Sequence, residues 1–394
     1  MFARILFFLG ALLLVQPTAE AKPAVDDVRL GIHPDKTRLV IELTEAPGFR
    51  VFSLADPARV VVDLPAVEWP AAASQDGMGL VGALRYGLFT PGTSRVVLDL
   101  NRPARVLDAF VLPPRDGKGY RFVLDIGPAD GAAFLAEIRR PPIESDRPLP
   151  TIAVALPAAP SASGDSRPTV VIDPGHGGVD PGATGVSGIY EKDLVLGYGL
   201  ALRDALAKTG RYRVVMTRAD DRFLPLRGRV KIANEAGGDL FVSLHANTNA
   251  SRSLRGASVY TLSENASDSE AAALAAKENK ADIIAGVDLS GQNEVVSQIL
   301  IDLAQRETMN LSKGLGNILV SSLGKSLHLL KRTHRYAGFA VLKSPSVPSV
   351  LVEVGYMSHP DEERALRTPQ HRAKVIDGLV EAIDQYFTVQ QAHR

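Results

Sequence analysis

The hydrophobic pattern changes period near residue 168, and no single fold class accommodates both sides of that change. Before it, apolar and polar residues alternate in short runs: Arg38–Leu43, Arg59–Leu64, Arg95–Leu100 and Arg121–Ile126. Period-two alternation puts one face of a strand in a core and the other in water. Turn-forming pairs separate the runs, at Pro47-Gly48, Pro91-Gly92 and Asp116-Gly117. Strands that follow one another without helices imply a sandwich, so residues 25–127 are expected to form a small all-β sandwich domain. The pattern "Arg, three apolar residues, Asp, Leu" recurs among these runs. A weak internal repeat and a plain likeness between short strands both account for it.

After residue 168 the rhythm is strand, helix, strand. Strands are expected at Thr169–Asp173, Arg213–Thr217, Leu240–Leu244, Ala257–Leu262 and Val350–Val354. Helices are expected at Glu191–Lys208, Leu226–Gly237 and Arg372–Phe387. That order predicts an α/β catalytic domain over 168–388, with a mainly parallel sheet flanked by helices. One stretch, 268–323, interrupts it with helix-forming sequence, Ser269–Lys280 and then Asn293–Glu307. The latter places Val295, Val296, Ile299, Leu300 and Leu303 on one face. A helix packed on the sheet and a movable lid or docking helix both fit this insertion.

Between the two domains, residues 128–167 are rich in Pro and Ala and read as a linker. At the N-terminus, Arg4 precedes an apolar run from Ile5 to Val15 and then Ala19-Glu20-Ala21. That order is expected of a cleavable signal peptide, residues 1–21. The run is shorter than the roughly 20 residues a transmembrane helix needs, and no later segment reads as a membrane anchor. With no cysteine in the chain, lipoprotein attachment, disulfides and thiolate metal ligands are excluded. Lys plus Arg and Asp plus Glu number 44 each, which gives no support to nucleic acid as a partner.

The chemistry concentrates at strand ends, beyond which open α/β sheets bind ligands. Asp173-Pro174-Gly175-His176 closes the first strand of the second domain, Ser243-Leu244-His245 the third, and Val352-Glu353-Val354 a later one. Glu191 opens a helix after a Gly-rich loop. Two histidines, one carboxylate and a water make a tetrahedral catalytic zinc site, in which zinc lowers the pKa of water and polarises a carbonyl. His176, Glu191 and His245 supply such a set, and Glu353 a further carboxylate to carry the proton to a leaving amine. A structural or exposed role remains open for each histidine, and a structural ion pair for Glu353. The other histidines (33, 328, 334, 359, 371 and 393) read as surface residues.

Four motifs carry a specific resemblance: Thr-Val-Val-Ile-Asp-Pro-Gly-His-Gly-Gly at 169–178, Glu-Lys-Asp at 191–193, the run from Asp239 to Asn247, and the run from Ser349 to Ser358. Together, and in this order, they resemble the zinc-dependent N-acetylmuramoyl-L-alanine amidases, the Amidase_3 family. The resemblance implies zinc ligands at His176, Glu191 and His245 and a catalytic glutamate at Glu353. It implies cleavage of the bond between the lactyl group of N-acetylmuramic acid and L-alanine in peptidoglycan. A zinc peptidase cutting within the stem peptide, or a non-catalytic peptidoglycan-binding protein, are the rival readings. The first domain resembles the AMIN domain, which implies peptidoglycan targeting in the periplasm and enrichment at the division septum. The 268–323 insertion resembles that of Gram-negative division amidases. The resemblance there implies autoinhibition, relieved by an activator of the LytM-domain type, with Glu278 as the residue that contacts the zinc.

Overall fold

The computed structural model describes residues 23–70, 74–147, 149, 166–287 and 298–392, with the backbone alone at 74–75 and 298–304. The expected signal peptide, most of the linker beyond residue 150 and, of the apolar stripe at 295–303, Val295 and Val296 lie outside the residues so described, while Ile299, Leu300 and Leu303 are described by backbone alone. Among the described residues no helix is long and apolar enough to cross a membrane.

Among the described residues, ten strands fall in the N-terminal region: β1 (Val25–Ile32), β2 (Thr37–Leu43), β3 (Arg50–Leu54), β4 (Arg59–Pro65), β5 (Ser74–Asp76), β6 (Val81–Thr90), β7 (Thr93–Leu100), β8 (Ala104–Leu112), β9 (Tyr120–Pro128) and β10 (Ile143–Glu144). They pair antiparallel as two sheets, β1-β2-β9-β8 and β10-β3-β4-β7-β6-β5. The period-two reading holds in β2, where Leu39, Ile41 and Leu43 are buried and Arg38, Val40 and Glu42 are half-buried. These side chains meet Val60, Val62, Val96 and Leu98 of the second sheet in one core, as a sandwich requires.

The recurring Arg…Asp pattern acquires a geometric reason here. In the β4–β7 ladder Arg59 is the register partner of Asp99, and Asp63 of Arg95. In the β2–β9 ladder Arg38 is opposite Asp125, and Glu42 opposite Arg121. Antiparallel pairing of two strands with the same pattern sets arginine across from a carboxylate at both ends, and such cross-strand pairs stabilise a sheet.

The stretch read as linker opens with structure. Helix α1 (Gly131–Ile138) is capped by Asp130, whose side chain accepts from Ala133 N at 2.7 Å. Phe134 is buried, and β10 then adds to the edge of β3. The composition concealed this because alanine suits a helix as well as a linker, and a single phenylalanine supplies the burial.

The second domain is built on one mixed sheet in the order β12-β11-β13-β16-β14-β15. Its strands are β11 (Thr169–Pro174), β12 (Arg213–Met216), β13 (Leu240–Asn247), β14 (Ala257–Leu262), β15 (Leu329–Ala337) and β16 (Ser349–Tyr356). Every pair is parallel except β14 with β16. Alternate residues of each central strand face opposite layers. Val170, Ile172, Val242, Leu244, Val350 and Val352 pack with the helices α2 (Glu191–Thr209), α6 (Gln298–Leu323) and α8 (Pro369–Ala392). Val171, Phe241 and Leu351 face α3 (Leu226–Glu235) and α4 (Ser269–Glu278) on the other side. Leu194, Tyr198, Leu202 and Leu206 form the buried stripe of α2, and Gly210 ends that helix at φ +69°. The second half of α6 is core, since Leu315, Leu319 and Leu323 are fully buried against α8. The remaining helices are α5 (Ala281–Ile284) and α7 (Pro360–Leu366).

His334 departs from the surface reading. It is half-buried, with Nε2 3.1 Å from Thr261 Oγ1 and Nδ1 2.9 Å from Asn317 Oδ1.

Candidate active site

The parallel ladders bring the strand ends together. The backbone leaves β11 through Gly175 and turns at His176, whose φ of +57° lies in the left-handed region. A non-glycine residue there costs energy, so the turn needs support. Arg229 Nη2 donates to His176 O at 2.6 Å and Arg218 Nη2 to Gly175 O at 2.7 Å. Gly175 is required by close approach, because a Cβ there would lie 2.4 Å from His245 Cε1. Its absence allows the His176 and His245 rings to meet edge-on with centroids 4.9 Å apart.

Glu191 enters from the first turn of α2, where the helix dipole favours a carboxylate. Its Oε1 lies 3.2 Å from His176 Nε2 and 3.1 Å from His245 Nδ1. The backbone N–H of Ala246 donates to Oε1 and that of Ala183 to Oε2, each at 2.9 Å. Glu278, the last residue of α4, completes the cluster from above, with Oε2 3.2 Å from His176 Nε2 and 3.3 Å from His245 Nδ1. All four residues are buried.

Glu353 lies beside them at 0% exposure, and neither of its carboxylate oxygens has a hydrogen-bond partner among the described residues. Burial, with the charges of Glu191 and Glu278 nearby, pushes its carboxyl well above the usual range. Glu278 behaves oppositely. Burial disfavours its charge, but His176, His245 and Lys277 outweigh burial and hold it down to about 2. At His176, burial opposes the positive charge, yet Glu191, Asp180 and Glu278 raise the imidazole well above its ordinary value.

The donor set fits a divalent cation. Two imidazole nitrogens and two carboxylates converge on one point, and His176, His245 and Glu278 could hold a metal ion. His176 Nε2 makes no well-directed hydrogen bond, although both carboxylates lie 3.2 Å away. His245 Nδ1 pairs with Glu191 Oε1 at 3.1 Å, but an imidazole nitrogen left unsatisfied between two carboxylates suits a shared ion, and nitrogen with oxygen donors suits zinc.

The four residues singled out in the sequence, His176, Glu191, His245 and Glu353, thus come together, and Glu278 joins them. Several supporting groups had no sequence reading. Asp180 Oδ2 is 2.9 Å from His176 Nδ1, fixing the ring from behind. Asp173 accepts from Thr217 Oγ1 at 2.6 Å, Ser243 Oγ at 2.7 Å and Arg229 Nη1 at 2.8 Å, under the site floor. The available signal was the presence of Asp173 at the end of β11 and Asp180 in the Gly-rich loop, on either side of His176.

The chain matches the family model described as N-acetylmuramoyl-L-alanine amidase over residues 170–385, and that of the AMIN domain over residues 27–124. It is 35% identical to N-acetylmuramoyl-L-alanine amidase AmiC of Escherichia coli O6:H1, an alignment covering 98% of this chain and 95% of that protein. The chain belongs to the N-acetylmuramoyl-L-alanine amidase family. A second AmiC, from Neisseria meningitidis serogroup B, is 34% identical over 96% of this chain and 95% of its own. AmiA of Escherichia coli K12 is 41% identical, covering 57% of this chain and 78% of its own. The AMIN region therefore precedes the amidase region, and peptidoglycan is the substrate class of the amidase.

Proposed function

We propose that this amidase is zinc-dependent and hydrolyses the bond between the lactyl carbonyl of N-acetylmuramic acid and the nitrogen of L-alanine. His176, Glu191 and His245 would hold the ion. Zinc, when bound, supplies an acidified water and a polarised carbonyl. Glu353 takes a proton from the attacking water, whose oxygen bonds to the lactyl carbon. Glu353 then returns that proton to the amide nitrogen as the C–N bond breaks. The products are a muramic acid carboxylate and a stem peptide with a free amino end. Asp180 keeps the His176 ring oriented throughout. The observation that carries this reading is Glu353, fully buried and unpartnered beside two histidines and two other carboxylates.

In this conformation Glu278 takes a place that substrate would need. The space left around His176 and His245 is about 10 Å³, whereas ligand pockets run to roughly 300–1,000 Å³. We infer that α4 is an autoinhibitory element and that Glu278 is displaced when an activator of the LytM-domain type docks on the 268–323 region. The reading also places the protein in the periplasm, exported by a signal peptide over residues 1–21, with septal wall splitting and daughter-cell separation as its work. The AMIN match and the AmiC relatives support that placement.

Product mass spectrometry on purified sacculi tests the reaction. Stem peptides with a free L-alanine amino end should appear with zinc-loaded Glu278→Ala protein and be absent when Glu353→Ala is added to it. Fragments cut within the peptide would establish the rival peptidase.

A further inference from the structure

Five residues beyond Glu278, the chain passes under the N-terminal domain. The outer face of the β4–β7–β6 sheet carries Arg59, Arg85 and Arg95, and each donates to backbone carbonyls of the passing segment. Arg59 reaches Ile283 O, and Arg85 reaches Ile284 O through Nε at 3.3 Å and Nη2 at 3.2 Å. Arg95 Nη1 reaches Gly286 O at 2.8 Å and Ala285 O at 3.4 Å. Two of the guanidiniums are aimed by carboxylates of their own sheet, Arg85 by Asp99 and Arg95 by Asp63.

Three of these carbonyls, those of Ile284, Ala285 and Gly286, take no backbone N–H among the described residues, whereas Ile283 O also accepts from Gly286 N at 3.0 Å. Helix α5 ends at Ile284, so the carbonyls of Ile284 and of the turn that follows lack helical donors. The N-terminal domain supplies the donors, and cations at a helix C-terminus are doubly favourable. Apolar contact closes the same seam. Ala285 packs with Val97, Val179 and Phe223 in a small core that draws on both domains. Gly286 sits so close that an added Cβ would lie 3.1 Å from Val61 Cγ2 and 3.2 Å from Val97 Cγ2. Val61 and Val97 are fully buried on what would otherwise be the wet face of a sandwich. Two further contacts join the domains directly. Phe223 N donates to Leu88 O at 3.2 Å, and Phe223 stacks on Phe89 at 5.8 Å, on which the Arg95 guanidinium rests at 3.5 Å.

We propose that this arginine face is a docking surface whose occupant is the Ile283–Gly286 segment of the same chain, so that the N-terminal domain latches Glu278 between His176 and His245. Between Glu278 and that segment the chain is also tied to the second domain. Asn279 pairs with Gly338 O and Ala340 N, and Asp282 accepts from Leu226 N at 2.8 Å. A domain whose resemblance implies targeting is thereby also an inhibitory element. This inference rests on the blocking role of Glu278.

The test compares the full-length exported chain, zinc-loaded, as wild type, Arg85→Ala, Gly286→Val and Glu278→Ala. Arg85→Ala leaves Asp99 at 32% exposure, where water takes over its charge, so the domain keeps its fold. Gly286→Val attacks the same seam from the other side. Hydrogen–deuterium exchange over 279–287 reads docking, and stem-peptide release from sacculi reads the rate. Both seam variants should exchange faster and turn over about tenfold faster than wild type, the loss expected for charge-assisted hydrogen bonds. Unchanged exchange in both variants overturns the latch. Faster exchange at the wild-type rate, with Glu278→Ala active, also overturns it. Glu278→Ala at the wild-type rate would instead refute the blocking role itself, and the latch with it.

Discussion

Glu353 stands directly across a strand pair from His245: the two are register partners in the parallel ladder between β13 and β16. Their neighbours Leu244 and Val352 both face the α2 layer, so both functional side chains face the opposite one. In the proposed mechanism a carboxylate fixed there would serve the reaction without being needed to hold the ion. Glu353→Gln should retain zinc at the wild-type stoichiometry and lose roughly 10²–10⁴-fold in turnover. Metal analysis beside a rate assay separates the two effects. His245→Ala should lose both zinc and turnover. A Glu353→Gln protein with a wild-type rate would remove the glutamate from the mechanism.

Asp180 acts through His176. Its Oδ2 meets His176 Nδ1 and its Oδ1 accepts from Gly182 N at 3.1 Å. Asparagine keeps that second bond but weakens the hold on the ring. Asp180→Asn should weaken zinc binding by about 10–100-fold, measured by competition with a chelator, while the fold persists. An unchanged zinc affinity would make Asp180 a loop-shaping residue only.

The site floor predicts a stability effect. Arg229 is buried and donates to Leu224 O, Pro174 O, His176 O and Asp173. Removing it strands the Asp173 charge, which burial opposes and Arg229, Thr217 and Ser243 sustain. Breaking one partner of such a pair costs about 3–5 kcal/mol. Arg229→Met should show a loss of that order in denaturant titrations, and Asp173→Asn added to it should recover a part. A loss below about 1 kcal/mol would contradict the load assigned to the pair.

What could be read from the sequence, and what could not, follows from the range of the interactions. The strands β2, β4, β7, β11, β13 and β16 declare themselves because burial on one or both faces is written into consecutive residues. His176, His245 and Glu353 stood out because ionisable groups at the ends of apolar runs are costly unless used. Helix α1 was concealed by a composition that suits linker and helix alike. The core half of α6 was hidden behind its continuity with an insertion, although Leu315, Leu319 and Leu323 repeat every four residues. Arg59 and Arg95 open alternating runs and Arg85 lies in a strand that no run marked, and nothing local tells that another domain covers them. Arg229 lies 56 residues from Asp173, and only the fold pairs them.

The N-terminal domain carries an acid-sensitive pair that can be followed by itself. Asp125 is bonded to Arg38 through both oxygens, at 2.6 and 2.7 Å, and to Lys36 at 2.7 Å. Hydrogen bonding to Arg38 dominates over burial and lowers its carboxyl from 3.8 to about 2. A depressed folded pKa means that the unfolded chain binds the proton first. The pair therefore contributes fully above pH 3.8, and its contribution is lost as pH falls toward about 2. Trp69 is the single tryptophan, stacked on Tyr86 at 4.6 Å and donating to Ser94 Oγ at 3.1 Å, so its fluorescence reports this domain alone. Urea midpoints followed at Trp69 should fall steeply between pH 4 and pH 2 in the wild type. In Asp125→Asn the midpoint should be lower at pH 6 and flatter across that window. Parallel curves for the two proteins would mean that other carboxylates govern the acid limb.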